Sequence, residues 1–223
     1  MGPAILIAYG LPGDKLHDRA FERAPPRPLV AWIGAASGDS RAWFDRVATV
    51  LRQRYGAEVQ LARSVPSVDF DPDETRRLVD AAQLIYLGGG DVSGLAERTR
   101  ALGLDEQIRR RHREGAVVVG VSAGAIALTR YWVQFPDDNF ELPRPTRFPC
   151  IGALDLAVDC HDEESDWEEL RALLAAWALD EPEAQLDAYG IPMGGALEIG
   201  DGGVTHLGPA PKWLRLDRGR IVE

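Results

Sequence analysis

The chain is poor in cysteine and in long apolar runs. Its 223 residues include only two cysteines, Cys150 and Cys160. Two cysteines cannot build a disulfide framework, so we expect a reducing compartment and a cytoplasmic location. No apolar run approaches the roughly 18 residues needed to cross a bilayer, and the amino terminus lacks the basic region of a signal peptide. We therefore expect neither a membrane span nor a leader.

Basic charge is also scarce. Lysine and arginine number 25 against 35 aspartates and glutamates, and the net charge is −10. Nucleic acids and anionic membranes recruit basic surfaces, so this balance argues against both as partners. No histidines and acids stand at the spacing of metal ligands, and Gly88-Gly89-Gly90 does not complete a nucleotide-binding G-x-G-x-x-G motif. The sequence predicts no cofactor.

What the chain does contain is a regular alternation of short apolar runs with helical segments. That alternation is typical of a parallel sheet covered by helices on both faces, and no linker interrupts it. We therefore predict one α/β domain over residues 1–223, with three layers in the order α/β/α. The predicted strands cover 4–9, 29–35, 58–62, 84–87, 116–119 and 155–160. The predicted helices cover 40–55, a segment that begins at 71, 104–113 and 167–179. We expect exposed loops over 10–28 and 135–149, and antiparallel hairpins at one edge of the sheet over 187–222.

The sequence Gly120-Val121-Ser122-Ala123-Gly124 stands where a strand ends and a helix begins. Flanking glycines permit a sharp turn that holds a serine hydroxyl out of the sheet edge, the arrangement called a nucleophile elbow. The backbone amides of Ala123 and of Gly89 or Gly90 would face the same point and could bind a developing oxyanion. Ser122 is therefore the candidate nucleophile.

A serine hydroxyl needs a base within hydrogen-bond reach, and His161 is the best of four histidines. It follows a predicted strand, at the sheet edge where α/β proteins gather functional groups. His17 falls in the predicted loop, and His112 lies in an arginine-rich segment that we interpret as a solvated helix face. His206 lies in a predicted hairpin strand. An α/β-hydrolase esterase would instead take its acid and base later in the chain, at Asp187 and His206.

Two motifs and a histidine carry a family resemblance. The segment Leu87-Gly88-Gly89-Gly90-Asp91, the elbow about 30 residues later and His161 together resemble the dipeptidase E and cyanophycinase family of serine peptidases. The likeness extends from Ile5 to the last strand. It implies the flavodoxin-like sheet of class I glutamine amidotransferases, Ser122 as nucleophile, a dipeptide or short peptide as substrate, and a chain able to form a homodimer.

The acid of a catalytic triad is less well determined. The resemblance implies an acid in the loop after the elbow helix, at Asp137 or, one residue later, Asp138. A second family pattern places a carboxylate in a Pro-Glu-Gly turn, which here is Pro192-Met193-Gly194. Met193 cannot orient an imidazole, so Asp137, Asp138, Glu198 or a backbone carbonyl remain as candidates. Loss of this acid also leaves open a catalytically impaired binding protein.

Acidic residues follow His161. Relatives that cleave after an amino-terminal aspartate carry basic residues here, where a cation can pair with the substrate carboxylate. This chain has six acids between residues 162 and 169. They would repel an acidic substrate side chain and favour an amino group or a basic one, unless they form only the solvated start of a helix. We therefore expect a small-peptidase activity and do not assign it aspartyl specificity.

Overall fold

The core of the protein is a seven-stranded sheet. The computed structural model describes residues 1–10, 15–68, 70–135 and 144–223. Five strands of the sheet are parallel, namely β1 (Ala4–Ile7), β2 (Leu29–Ile33), β3 (Glu58–Ala62), β4 (Leu84–Leu87) and β5 (Val117–Val121). Every residue of β1, β4 and β5 is buried, as expected for strands with helices on both faces.

Helices connect the parallel strands and cover the sheet. They are α1 (Lys15–Arg23), α2 (Arg41–Tyr55), α3 (Pro72–Ala81), α4 (Val92–Ala101), α5 (Leu104–Arg113), the short α6 (Ala123–Ala127) and, later, α7 (Glu168–Asp180). The apolar side chains of α1 and α2 pack on one face of the sheet, and those of α3 to α6 pack on the other. The predicted α/β fold with three layers is confirmed.

The remaining strands are β6 (Tyr131–Gln134), β7 (Thr146–Pro149), β8 (Ala157–Cys160), β9 (Gln185–Ile191), β10 (Ala196–Gly200), β11 (Gly203–Leu207), β12 (Lys212–Asp217) and β13 (Arg220–Val222). The order of the main sheet is β3-β2-β4-β5-β1-β10-β11, with β10 and β11 antiparallel to their neighbours. If β2 is counted as the first strand, then β2 to β5 lie in the flavodoxin order 2-1-3-4. Strand β1 lies at the position of the fifth flavodoxin strand.

The carboxyl-terminal strands divide between two sheets, where we had predicted hairpins at one edge only. Strands β10 and β11 extend the main sheet, whereas β9, β12 and β13 join β8 in a second sheet of order β13-β12-β9-β8. Strand β8 pairs in parallel with β9. Turn residues in the sequence mark hairpins but not the sheet that each hairpin joins. The second sheet matters because it brings His161, which follows β8, to Ser122, which follows β5.

Several boundaries were predicted correctly and others were wrong. Strands β3 and β4 and helix α5 match their predicted ranges. The prediction of a loop over 10–28 was wrong, because this segment contains α1. The nearby prolines are typical of a loop, but Leu16 and Ala20 are buried on one face of the helix. Strand β7 lies within the predicted loop 135–149, and β6 was missed.

The buried face of α2 includes Phe44, Val47, Ala48 and Leu51. The indole of Trp43 is 45% exposed and lies under the guanidinium of Arg46. Phe44 instead packs against the indole of Trp32 from β2. A tryptophan whose ring is covered by an arginine can remain at the surface, which apolar periodicity alone does not reveal.

Candidate active site

Ser122 occupies a strained turn between β5 and α6. Its backbone has φ +50° and ψ −117°, a conformation that a residue with a side chain rarely adopts. Its amide donates a hydrogen bond of 2.8 Å to the carbonyl of Ile7, which ties the turn to β1. This is the geometry of the predicted elbow, with the hydroxyl held out at the carboxyl end of the parallel strands.

The glycines on either side of the elbow are required by close packing. A Cβ atom on Gly120 would lie 2.6 Å from backbone atoms of Ala125. A Cβ atom on Gly124 would lie 2.3 Å from the carbonyl oxygen of Leu87, at the end of β4. Real side chains do not approach a backbone this closely. The two glycines therefore allow α6 to pack directly onto the sheet beneath Ser122.

His161 follows β8 and reaches the elbow from the second sheet. Its Nε2 lies 2.9 Å from the Oγ of Ser122. Its backbone also has a positive φ, +50°, and its amide donates a hydrogen bond of 2.9 Å to the carbonyl of Ile191. A neutral imidazole that carries its proton on Nδ1 can accept the serine proton at Nε2. The structure thus brings together the two residues that sequence reasoning selected as nucleophile and base.

Gly89 and Gly90 lie beside the elbow, at the end of β4. A Cβ atom on Gly89 would lie 3.4 Å from the Cβ of Ser122, and one on Gly90 would lie 2.3 Å from the carbonyl oxygen of Ala36. Gly90 has φ +140°. Ala123 is the first residue of α6, so its amide has no acceptor one turn earlier in the helix. Gly89 thus lies against the side chain of Ser122, and Gly90 lies against the backbone of Ala36.

Of the three candidate acids for the triad, Glu198 is the one that lies within the described residues. Asp137 and Asp138 lie outside the described residues. The carboxylate of Glu198 accepts hydrogen bonds from the Nε atoms of Arg19 and Arg23 at 2.5 and 2.6 Å. Burial opposes the ionisation of Glu198, but these two arginines outweigh it and lower its pKa. Glu198 thus links α1 to β10, and this arrangement does not support it as the partner of His161.

Two of the other histidines are structural, and the third is remote from Ser122 in the sheet. His17 is buried in α1, with its Nε2 3.0 Å from the hydroxyl of Tyr86. His112 is 2% exposed and hydrogen-bonds through Nε2 to the carbonyl of Gly2, which overturns its interpretation as part of a solvated face. His206 lies on β11, at the sheet edge opposite β3.

The alternative acid and base of an esterase do not meet at the elbow. Asp187 lies on β9 opposite Arg215 in the second sheet, and His206 pairs with Leu197 in the main sheet. The base within hydrogen-bond distance of Ser122 is His161. The geometry therefore favours the peptidase arrangement over the esterase one.

Sequence reasoning missed two residues beside His161. The ring of Tyr9, which follows β1, lies edge-on to the imidazole with centroids 6.2 Å apart. Asp159 is a buried acid in the otherwise apolar β8. A charged residue inside a buried strand is a signal that the sequence displayed, whereas nothing in it pointed to Tyr9.

Within the described residues, no group of three or more histidines, cysteines and acids could hold a metal ion. Over the same part of the chain, no helix has the length and apolar character of a membrane span. Cys150 and Cys160 are both buried and free. Burial raises the pKa of the Cys160 thiol well above its ordinary value, so this group behind Ser122 remains protonated.

Comparison with known sequences identifies relatives. The sequence profile of peptidase family S51 matches residues 16–207. An uncharacterized peptidase of Bacillus subtilis, YgaJ, is 33% identical over 104 residues, which are 45% of this chain and 42% of that protein. Peptidase E of Salmonella arizonae is 26% identical over 145 residues, which are 61% of this chain and 60% of that protein. The matches thus span less than two thirds of these relatives' lengths.

Two solved structures share the fold. A peptidase from an acI-B1 Actinobacterium superposes with a TM-score of 0.70 at 23% identity, over 99% of this chain and 96% of its own. A putative peptidase E protein from Listeria monocytogenes superposes with a TM-score of 0.67 at 16% identity, over 94% of this chain and all of its own. At these identities the likeness establishes the architecture.

Proposed function

The chain belongs to peptidase family S51, and from this premise we propose that it is a serine peptidase that hydrolyses dipeptides or short peptides. The observation that carries the proposal is the 2.9 Å separation of the Ser122 hydroxyl and the Nε2 of His161. A hydroxyl on a strained elbow, with an imidazole in hydrogen-bond distance, is the arrangement that acyl transfer requires.

In the first half of the reaction Ser122 attacks the scissile carbonyl. The Oγ–carbon bond forms while Nε2 of His161 takes the hydroxyl proton. The tetrahedral intermediate collapses when the carbon–nitrogen bond breaks, and His161 returns the proton to the leaving amine. Water then attacks the ester carbon with His161 again as base, the Oγ–carbon bond breaks, and Ser122 recovers its proton.

The oxyanion of each intermediate needs donors that are fixed before the reaction. We assign this role to the backbone amide of Ala123, which follows Ser122 at the start of α6, and to that of Gly89 or Gly90 at the end of β4. Preorganised amides of this kind are worth about 3 to 4 kcal/mol each to the transition state. The lack of side chains at Gly89 and Gly90 lets the substrate carbonyl approach.

For the acid that orients His161 we propose Asp137, with Asp138 as the alternative. Its position in the chain after the elbow helix matches the family pattern, and Met193 stands where a second pattern would supply a glutamate. An acid at Nδ1 fixes the tautomer that leaves Nε2 free to accept a proton, and it stabilises the imidazolium that forms.

Reaction with a fluorophosphonate probe tests the nucleophile. Wild type is expected to be labelled, Ser122→Ala to be unlabelled, and Ser67→Ala, a change at an exposed serine, to be labelled like wild type. A dipeptide library then tests the activity: Ser122→Ala is expected to lose about three to six orders of magnitude in kcat. Folded wild-type protein that neither reacts with the probe nor cleaves any dipeptide would favour a non-catalytic binding protein.

The proposal also covers where the protein acts and in which oligomeric state. The free buried cysteines and the net charge of −10 suit a cytoplasmic peptidase that acts on free peptides rather than on nucleic acid. We also propose a homodimer, since Trp213 and Val222 expose apolar surface on the second sheet. Light scattering on the purified chain would return twice the monomer mass of 24.4 kDa if this is correct.

A further inference from the structure

A buried carboxyl group precedes His161 by two residues. Asp159 is the third residue of β8, and only 3% of its surface is exposed. Its Oδ1 accepts a hydrogen bond of 2.7 Å from the amide of Cys160. Its Oδ2 is enclosed by protein and has no donor within the described part of the chain. A buried carboxylate without a counter-ion is costly, so the folded protein must neutralise this group.

Among the described residues, the charged side chains that act on Asp159 are negative. Asp162, from the turn after β8, interacts with it, and the Oδ2 of Asp162 is likewise enclosed without a donor in the described structure. Glu169 faces it from the first turn of α7. On the paired strand β9 the opposite residue is Gly190, and the indole of Trp167 fills the space of its missing side chain.

A proton is the cation that fits this environment. The described residues offer no metal-binding group of three. Burial is the largest of the causes that raise the pKa of Asp159 to about 8; the amide of Cys160 opposes it, and the negative charges of Asp162 and Glu169 reinforce it. The Oδ2 atoms of Asp159 and Asp162 are both enclosed without a donor in the described structure. One proton held between these two carboxyl groups, the shared proton, would supply the donor that both oxygens lack.

We propose that Asp159 is a positioning residue of the active site, whose protonated carboxyl group donates a hydrogen bond to Asp162 and so closes the turn that carries His161. Asp159 and Asp162 lie on either side of His161 in the chain. The hydrogen bond between them therefore fixes the backbone around His161, whose imidazole must reach Ser122. The effect on catalysis rests on the proposed peptidase function, whereas the shared proton itself does not.

The turn depends on this closure because its backbone is strained. His161 has φ +50°, and Asp166 and Trp167 at the start of α7 also have positive φ. Other contacts anchor the same turn: the carbonyl of Asp162 accepts from the amide of Trp167 at 3.1 Å, and the carboxylate of Glu163 accepts from the amide of Met193 at 2.8 Å. Removal of the shared proton would place two carboxylates in contact beside Glu169. Their repulsion would open the turn and withdraw the imidazole from Ser122.

The kinetic test is the pH profile of kcat/KM from pH 6 to 10. Wild type is expected to lose activity with a midpoint near pH 8. Asp159→Asn cannot lose a proton, yet its amide can donate to Asp162 and accept from Cys160, so it should stay active without the alkaline decline. Asp159→Leu should be impaired at every pH. Glu164→Gln, a control at an exposed acid of the same segment, should keep the wild-type profile.

The second test needs no activity. A carboxyl group whose pKa is higher in the folded than in the unfolded state makes the protein less stable as pH rises between the two values, from about 4 to about 8 for Asp159. The melting temperature of wild type should therefore fall relative to that of Asp159→Asn between pH 5 and pH 8.5. Comparison of the two proteins isolates Asp159 from Glu169, whose pKa burial also raises.

The two tests separate the proposals. An inactive wild type with the expected difference in melting temperature would overturn the peptidase function and support the shared proton. Equal pH dependence of the melting temperature in wild type and Asp159→Asn would overturn the shared proton. An unchanged alkaline decline in active Asp159→Asn would overturn the positioning role.

Discussion

The hydroxyl oxygen of Ser122 and the Nε2 of His161 lie 2.9 Å apart, although 39 residues separate them in the chain. They come from different sheets, since Ser122 follows β5 of the main sheet and His161 follows β8 of the second. Each adopts a positive φ near +50°. Strained backbone at both members of one contact is the pattern expected where the fold holds groups for chemistry rather than for stability.

Replacement of His161 should remove the base and leave the fold intact. We expect His161→Ala to lower kcat by about three to six orders of magnitude, close to the effect of Ser122→Ala, because the pair acts as a unit. His206→Ala, on the edge strand β11, is the matched control and should leave kcat unchanged. Loss of activity through His206 alone would instead support the esterase arrangement.

The choice between the two neighbouring acids can be decided by a pair of isosteric variants. If Asp137 orients the imidazole, Asp137→Asn should reduce kcat by about two to four orders of magnitude, since the amide favours the wrong tautomer, while Asp138→Asn should change it less than twofold. Steady-state kinetics on one dipeptide would decide. The reverse ranking would assign the role to Asp138, and no effect from either would refute an acid in this segment.

The glycine after the elbow should be intolerant of any side chain. In Gly124→Ala the new Cβ atom would lie 2.3 Å from the carbonyl oxygen of Leu87, and α6 would have to move off the sheet. We expect a loss of about 1 to 3 kcal/mol in the free energy of unfolding, measured by urea denaturation. Gly202→Ala, in a turn with open space around it, should cost under about 0.5 kcal/mol. Equal costs would contradict this packing.

His112 should contribute stability that rises with pH through the mildly acidic range. Burial lowers the pKa of this imidazole in the folded protein, although its bond to Gly2 opposes the shift. The unfolded state therefore binds the proton first as pH falls below about 6.5, and the folded state loses stability until its own pKa is reached. In urea denaturation at several pH values, the free energy of unfolding of wild type should rise relative to that of His112→Gln as pH increases through this range. A difference between the two proteins that falls as pH increases would contradict this sign.

The acids after His161 should bias the choice of substrate. The carboxylate of Glu163 accepts a hydrogen bond from the amide of Met193, and we expect its negative charge to disfavour an acidic substrate side chain. We expect Arg-X, Lys-X and neutral-X dipeptides to be cleaved faster than Asp-X. Glu163→Gln keeps the hydrogen bond to Met193 and should narrow the Arg-X to Asp-X ratio several-fold, an effect that salt should weaken. Faster cleavage of Asp-X by wild type would refute the bias.

Much of the fold was predictable because local patterns agree with it. The apolar runs of β3 and β4 and the polar-apolar periodicity of α5 have their predicted bounds. Helix α1 was not predictable in this way, because the prolines and charges around it resemble a loop. Its burial comes from contacts with distant partners: Glu198 of β10 binds two of its arginines, and Tyr86 of β4 contacts its His17.

The sequence by itself determined the elbow that presents Ser122, since the glycines at positions 120 and 124 mark this turn in a local motif. It also determined the layered α/β architecture through the alternation of strands and helices. Only the tertiary structure decided that His161 lies within hydrogen-bond distance of Ser122 and that Glu198 binds arginines of α1. It also decided that Asp159 and Asp162 each have a buried carboxyl oxygen without a donor in the described residues. The physical reason is that a hydrogen bond or a buried charge depends on which segments pack side by side, and that packing is a property of the whole chain.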